Sequence, residues 1–230
     1  MANPRATEFL KRVTQDGGLL DYGPEHSRLL VRVIRTLARG RPVSNEEVDR
    51  IIAELGVAPS EADEFLRTWT ERDADDRIVG AHGLSLNEFQ HRFSVNGTQL
   101  STWCAEDALF LPALLDQTAT VESPSPISKQ TVRLRVGPRG VEEVSPDGAV
   151  VSIVIVEPEA ADMSSVEAIW GTFCHHIFFF ASREEAEQWA ANRDDIEILS
   201  VEEGYELGRL IASRLLAYEA ERSNLHGGNA

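Results

Sequence analysis

The chain has 230 residues, enough for one large domain or two modest ones, and its 42% apolar and 26% charged residues are ordinary for a globular protein. Its 38 acidic and 22 basic side chains give a formal net charge of −16, which argues against a nucleic-acid backbone as partner because phosphate contacts need clustered Lys and Arg. It has no apolar stretch of about 18 residues and no apolar signal region at its start, so we expect a cytoplasmic protein that does not contact the membrane.

The first 80 residues predict a helical unit. Apolar residues recur at helical spacing over 29–37, Ser44 and Glu47 form a capping box for a second helix, and a third helix follows Ser60. Residues 77–86 then predict a hairpin. Three helices followed by a hairpin are typical of a winged-helix unit, which we assign to residues 1–80. With this net charge, we expect it to pack against or cover a substrate rather than to bind DNA.

Residues 81–230 predict a second domain, with a mixed or antiparallel β-sheet and flanking helices. The apolar segment 98–115 is helix-compatible, with Pro112 as a kink or an end. A capping box formed by Ser182 and Glu185 starts another helix, residues 205–218 form the last one, and the tail from Ser223 is expected to be loose. The whole chain is therefore predicted to have an α+β fold. Strands are predicted at 91–95, 131–136, 141–144, 150–156, 177–181 and 196–201.

The chain has only two cysteines, Cys104 and Cys174. Because cytosolic thiols are kept reduced, a structural disulfide is not expected, and thiolate chemistry or soft-metal binding is favoured. Asp107 follows Cys104 by three residues, so in a helix or tight turn both point the same way, whereas Glu106 is expected to face solvent. Cys174 can meet them only through tertiary packing. From spacing alone, an alternative stays open in which both cysteines are small buried apolar side chains.

Longer motifs surround these residues: Trp103-Cys-Ala-Glu-Asp107, Leu109-Phe-Leu-Pro-Ala113, 118–124, Phe173-Cys-His-His176, 179–182 and Leu37-Ala-Arg-Gly-Arg-Pro-Val-Ser44. These motifs resemble those of bacterial organomercurial lyase (alkylmercury lyase). The resemblance covers most of residues 25–215 and implies that Cys104, Asp107 and Cys174 are the catalytic residues. Two positions depart from the family pattern, since Ser125 and His175 stand where the family often has further cysteines.

The resemblance also implies a reaction. Two thiolates bind the mercury of an alkyl- or arylmercury cation, and the carboxylic acid of Asp107 protonates the carbon, giving a hydrocarbon and Hg(II) held by Cys104, Cys174 and Asp107. Trp103, Phe110 and the run 178–180 are expected to keep this site dry. No organic cofactor is expected. The expected partners are the organomercurial, cytosolic thiols and a mercuric reductase that accepts Hg(II).

Other interpretations of the same residues remain. One is a winged-helix regulator that senses a soft metal through Cys104 and Cys174, and another is a relative that binds mercury or copper without cleaving anything. His175 and His176 suggest a zinc or copper site, although neighbouring residues of a strand face opposite sides, so at most one would reach a shared metal. Trp103 is interpreted as a core residue or pocket wall rather than a direct substrate contact, Ser125 as a turn residue, and His82 and His91 as surface groups.

Overall fold

The computed structural model describes residues 3–219; the tail predicted to be loose, from Ser223, lies outside them. Within this range the chain forms eight α-helices and two antiparallel β-sheets, which confirms the α+β class. No helix in this range is both long enough and apolar enough to span a bilayer.

The first four helices include the three that the sequence predicted. The apolar residues of the second helix are fully buried, and the capping box of Ser44 and Glu47 is present at the start of the third. An additional helix precedes them near the N-terminus. The four helices are α1 (Pro4–Thr14), α2 (Gly23–Leu37), α3 (Asn45–Leu55) and α4 (Pro59–Trp69).

The larger sheet has eight strands, and every neighbouring pair is antiparallel. The hairpin predicted at 77–86 lies within this sheet, which continues into the second half of the chain. The division of the chain at residue 80 and the winged-helix unit stay predictions. The strands are β1 (Thr70–Arg72), β2 (Ile78–Ala81), β3 (Leu84–Ser85), β4 (His91–Val95), β5 (Thr98–Thr102), β6 (Ala119–Pro124), β7 (Thr131–Gly137) and β8 (Gly140–Ser145). Their spatial order is β1-β2-β3-β5-β4-β6-β7-β8.

The smaller sheet has β9 (Val150–Val154) at its centre, between β10 (Phe179–Phe180) and β11 (Ile196–Ser200). All five residues of β9 are buried, as its continuous apolar run predicted. One helix, α5 (Ala105–Leu115), contacts strands of both sheets and packs along the last helix, α8 (Val201–Leu216). The remaining helices are α6 (Val166–Thr172) and α7 (Arg183–Ala190).

The prediction of one helix over 98–115 is wrong in its first part. Residues 98–102 form β5, because Asn96 and Gly97 both take positive φ angles and fold β4 back onto β5 in a tight turn. The helix begins only at Ala105. Pro112 does not end it, since α5 continues to Leu115 with almost every residue buried by its neighbours. Packing on all sides offsets the hydrogen bond that this proline removes.

The segment around Cys174 also differs from its prediction. Cys174–His176 form a single 3₁₀ turn, and only Phe179–Phe180 of the predicted strand 177–181 are paired. The Ser182 hydroxyl accepts the Glu185 N–H at the start of α7, as a cap should, but the Glu185 carboxylate accepts a hydrogen bond from Ser125 instead of completing the box.

Candidate functional site

Cys104 and Asp107 lie together at the N-terminus of α5. Cys104 is the N-cap residue, and its backbone N–H donates to Asp107 Oδ2 at 2.8 Å. In return the backbone N–H of Asp107 approaches the Cys104 sulfur, so the pair forms a capping box with sulfur in place of a hydroxyl. The predicted shared face of these two side chains is therefore confirmed, and the cause is the geometry of a helix start.

Cys174 reaches the same place from a distant part of the chain. Ser152, a buried polar residue of β9, binds the segment that follows Cys174. The Ser152 hydroxyl donates to His176 O at 2.9 Å and accepts from Phe178 N–H at 2.9 Å. The N–H of Ala105 donates to Ile177 O at 3.2 Å, which joins this segment to the start of α5. These bonds set the turn containing Cys174 against Cys104.

The three predicted groups therefore converge. The ligand atoms of Cys104, Asp107 and Cys174 all lie within 4.8 Å of one another, and all three side chains are buried. Both thiols are free. Neither His175 nor His176 belongs to this cluster. His175 is exposed, and His176 Nδ1 lies 3.1 Å from the Arg193 guanidinium, because a 3₁₀ turn and not a strand orients them.

Burial shifts the ionisation of all three groups. Burial raises the pKa of Asp107 to about 6, against the lowering effect of its hydrogen bonds with Cys104. Burial also raises the pKa of Cys104 well above its ordinary value, and the hydrogen bond with Cys174 raises it further. That same bond lowers the pKa of Cys174, but burial and the charge of Asp107 outweigh it, so the result is still a rise. The free site is thus one in which protons stay on the sulfur atoms and Asp107 exchanges its proton near neutrality.

The cluster opens into a largely apolar cavity of about 130 Å³. Helix α1 and the loop after it supply one wall, so the N-terminal segment covers the site. Trp103 is a wall residue as predicted, and its indole N–H donates to the Glu71 carboxylate. Lining residues besides the cluster include Phe9, Leu10, Val13, Leu19, Leu20, Phe110, Met163, Ile169, Phe173 and Ile177.

The predicted aromatic surroundings are correct only in part. Trp103 and Phe110 line the cavity, whereas the run 178–180 does not. Phe178 and Phe180 pack against Trp189 of α7 instead, with ring centroids 5.5 and 5.4 Å away. Phe178 and Phe180 alternate with Phe179 along this extended segment, so both rings point away from the main core, into which Phe179 packs.

Two histidines predicted to lie on the surface are buried. His82 lines the cavity, stacks on Trp69 and has its Nε2 3.1 Å from the Tyr22 hydroxyl. His91 is fully buried in β4, with Nδ1 2.9 Å from Ser123 Oγ. Burial lowers their pKa values to about 4 and about 3, respectively. His82 was misjudged because the rings of Tyr22, Trp69 and Phe110 pack around its turn. His91 was misjudged because Phe178 and Phe179, at the edge of the small sheet, cover its side of β4.

Ser125 and Glu106 are also more buried than predicted. Ser125 follows β6 in a turn, as expected, but it is fully buried and donates to Glu185 Oε2 at 2.5 Å. Glu106 was expected to be solvated, yet it is only 7% exposed and lines the cavity. Burial, followed by the charge of Asp107, raises the pKa of Glu106 well above its ordinary value. Helix α8 covers the face of α5 that the sequence suggested was free.

Sequence reasoning missed two residues that shape this site, Gly83 and Ser152. Gly83 ends the turn between β2 and β3 and lies directly against Asp107. The sequence feature that could have identified Gly83 is its position as a glycine inside the predicted hairpin. Ser152 was the single polar residue within an otherwise apolar strand, and a buried hydroxyl in such a place needs a hydrogen-bond partner.

Comparison with known proteins adds independent information. The family model described as alkylmercury lyase matches residues 84–213, a range that contains the whole cluster. An alkylmercury lyase of Pseudomonas putida is 35% identical over 225 residues, covering 94% of this chain and 98% of the relative. One of Staphylococcus epidermidis is 39% identical over 184 residues, 79% of this chain and 80% of the relative. The crystal structure of the mercury-bound form of MerB2 has a similar fold, with a TM-score of 0.71 and 22% identity, and covers 93% of this chain and 100% of that chain.

Proposed function

Because this chain belongs to the alkylmercury lyase family and is an enzyme that acts on organomercurials, we propose that Cys104, Asp107 and Cys174 cleave the carbon–mercury bond of the substrate by protonolysis. The observation that carries the proposal is the convergence of two thiols and one carboxyl group within 4.8 Å, buried beside an apolar cavity. Each group has a distinct role in the reaction.

The two thiols bind the metal. An organomercury cation is a soft acid, and thiolates are its best protein ligands. The first protein thiol bonds to mercury and displaces the small thiolate that carried the substrate, and the proton of the protein thiol leaves on that small thiol. The second thiolate adds to mercury, raises its coordination number and pushes electron density toward the carbon. Cys104 and Cys174 are close enough for one mercury atom to contact both sulfurs.

Asp107 moves the proton. When the second thiol bonds to mercury, its proton passes to the Asp107 carboxylate, and Asp107 then delivers this proton to the carbon. The Hg–C bond breaks with its electron pair on carbon, a C–H bond forms, and the hydrocarbon leaves. A pKa of about 6 suits a group that must accept and return a proton near neutral pH. The apolar wall excludes water, which would otherwise solvate the carboxylate.

The metal product is Hg(II) bound by the sulfurs of both Cys104 and Cys174, with Asp107 as a weak further ligand. Hg(II) leaves by exchange onto thiols of the cytoplasm. The family resemblance implies that the final acceptor is a mercuric reductase, which offers a pair of thiols. No organic cofactor is needed, because the chain itself supplies two nucleophiles and the proton.

Incubation of the purified protein with phenylmercury and excess thiol, followed by gas chromatography, tests this proposal. We expect benzene, and we expect Cys104→Ala and Cys174→Ala each to reduce its release to that of a sample without enzyme. Benzene at the wild-type rate from either variant would remove that cysteine from the reaction. Retarded migration of DNA without hydrocarbon release would favour the regulator instead.

A further inference from the structure

Glu106 is a buried carboxyl group that the proposed reaction does not use. It lies in the first turn of α5, between Ala105 and Asp107, and is only 7% exposed. Neither of its carboxyl oxygens has a hydrogen-bond partner within residues 3–219. A buried polar group without a partner destabilises a fold, and such groups are rare in natural proteins. Stability of the fold therefore does not explain why a glutamate occupies position 106.

Helix α8 leaves room for this carboxyl group. A Cβ atom added to Gly208 would lie 3.0 Å from Glu106 Oε1, and one added to Gly204 would lie 3.7 Å from Oε2. These two glycines are one turn apart on the helix that covers α5. The other atoms close to the two added Cβ positions belong to three apolar residues, Leu109, Phe110 and Val151.

Glu106 also lines the cavity that contains the reactive cluster. Two carboxyl groups stand in that wall, and they differ in what they already bind. The Asp107 carboxylate accepts a hydrogen bond from the Cys104 N–H, whereas the Glu106 carboxyl group accepts none from the described residues. His82, another polar wall residue, has its Nε2 within hydrogen-bond distance of Tyr22. Both oxygens face α8 and have almost no accessible surface, so a donor on a ligand reaches them only when the side chain turns into the cavity. There the ligand, rather than the protein, completes the hydrogen bond.

We propose that Glu106 is a specificity-determining residue whose carboxyl group accepts a hydrogen bond from the organic group of the substrate. The substrates it favours are organomercurials whose organic group carries a hydroxyl. A carboxyl oxygen accepts such a bond with or without its own proton. The inference rests on the proposed function, because the mercury atom bound by Cys104 and Cys174 is what places the organic group in the cavity.

The test compares organic groups that differ by one hydroxyl. Hydroxyphenylmercury and tolylmercury, each as its 3- and 4-isomer, are nearly equal in size, and only the first can donate a hydrogen bond. The measured quantity is kcat/KM for the hydroxyl compound divided by kcat/KM for the matching methyl compound. This ratio is determined for the wild type, Glu106→Met, Glu106→Leu and Glu106→Gln. The electronic effect of the hydroxyl on the carbon is the same in every enzyme, so it cancels when their ratios are compared.

For at least one isomer, we expect the wild-type ratio to exceed that of Glu106→Met and of Glu106→Leu by about tenfold or more. Glu106→Gln should keep most of the preference, because its amide oxygen still accepts. Ratios within twofold of the wild type in either apolar variant, at both ring positions, would overturn the inference while leaving the lyase reaction intact. Release of neither phenol nor toluene by the wild type would instead overturn the proposed function, and the inference with it.

Discussion

Gly83 lies directly against the carboxyl group of Asp107. A Cβ atom on Gly83 would stand 2.5 Å from Asp107 Cγ and 2.5 Å from Oδ1, closer than any real side chain allows. Gly83 also has a φ of +98°, and its carbonyl accepts the N–H of Trp103 at 2.9 Å. The turn between β2 and β3 thus covers one side of the acid, and only glycine fits there.

Gly83→Ala should therefore displace Asp107 and lower kcat/KM for phenylmercury by about a hundredfold, since a shift of about 1 Å at a reacting group has that effect. Gly97→Ala is the matched control: its φ is +76°, but no atom lies within 4 Å of the added Cβ. It shares the backbone strain without the clash. Equal activities for the two variants, measured by benzene release, would show that Asp107 does not depend on this contact.

Asp107→Asn should separate binding from cleavage. The amide cannot carry the transferred proton, so hydrocarbon release should fall by at least about a hundredfold. Both thiols remain, so titration with phenylmercury should still show one bound equivalent. Asp147→Asn changes an exposed carboxylate and should leave both measurements unaltered. Undiminished benzene formation by Asp107→Asn would assign the proton to another donor.

Glu106→Met should stabilise the protein. Methionine has a similar length and needs no hydrogen bond, so removing the unpaired carboxyl group should raise the free energy of unfolding by about 1–3 kcal/mol. Urea denaturation of both proteins at neutral pH measures this difference in the free energy of unfolding. Glu64→Met, at an exposed position of α4, should change stability by less than about 0.5 kcal/mol. A loss of stability in Glu106→Met would mean that the carboxyl group has a stabilising partner.

Acid should destabilise the fold through its buried histidines. In the folded protein burial holds the pKa of His91 at about 3, whereas the ordinary value is 6.5. Between these values the unfolded chain binds a proton that the folded chain does not, so the free energy of unfolding falls as the pH drops below 6.5. The contribution is at most ~1.4 kcal/mol per pH unit. His82 acts in the same direction between 6.5 and about 4.

His91→Gln should therefore lose less stability between pH 7 and pH 5 than the wild type does, as measured by urea denaturation at each pH. His175→Gln serves as the control because His175 is exposed, and its pH dependence should match that of the wild type. If all three proteins lost stability in parallel, protonation of His91 would not be the cause.

Several elements could be predicted because their signals are local. The apolar spacing of α2, the capping box of Ser44 and Glu47, and the continuous apolar run of β9 each depend on residues close in sequence. The error over 98–102 had a local remedy as well, since Asn96-Gly97 is a typical hairpin turn. The shared direction of Cys104 and Asp107 also follows from their spacing.

By itself, the sequence determined the α+β class, most helices and strands, and the residues whose chemistry suits mercury. Only the tertiary structure decided that Cys174 meets Cys104, that Gly83 touches Asp107, and that Glu106 and His91 are buried. The physical reason is that periodicity shows which face of an element is apolar, but not which distant element will cover the other face. Burial, and with it every pKa in this site, is a property of that covering.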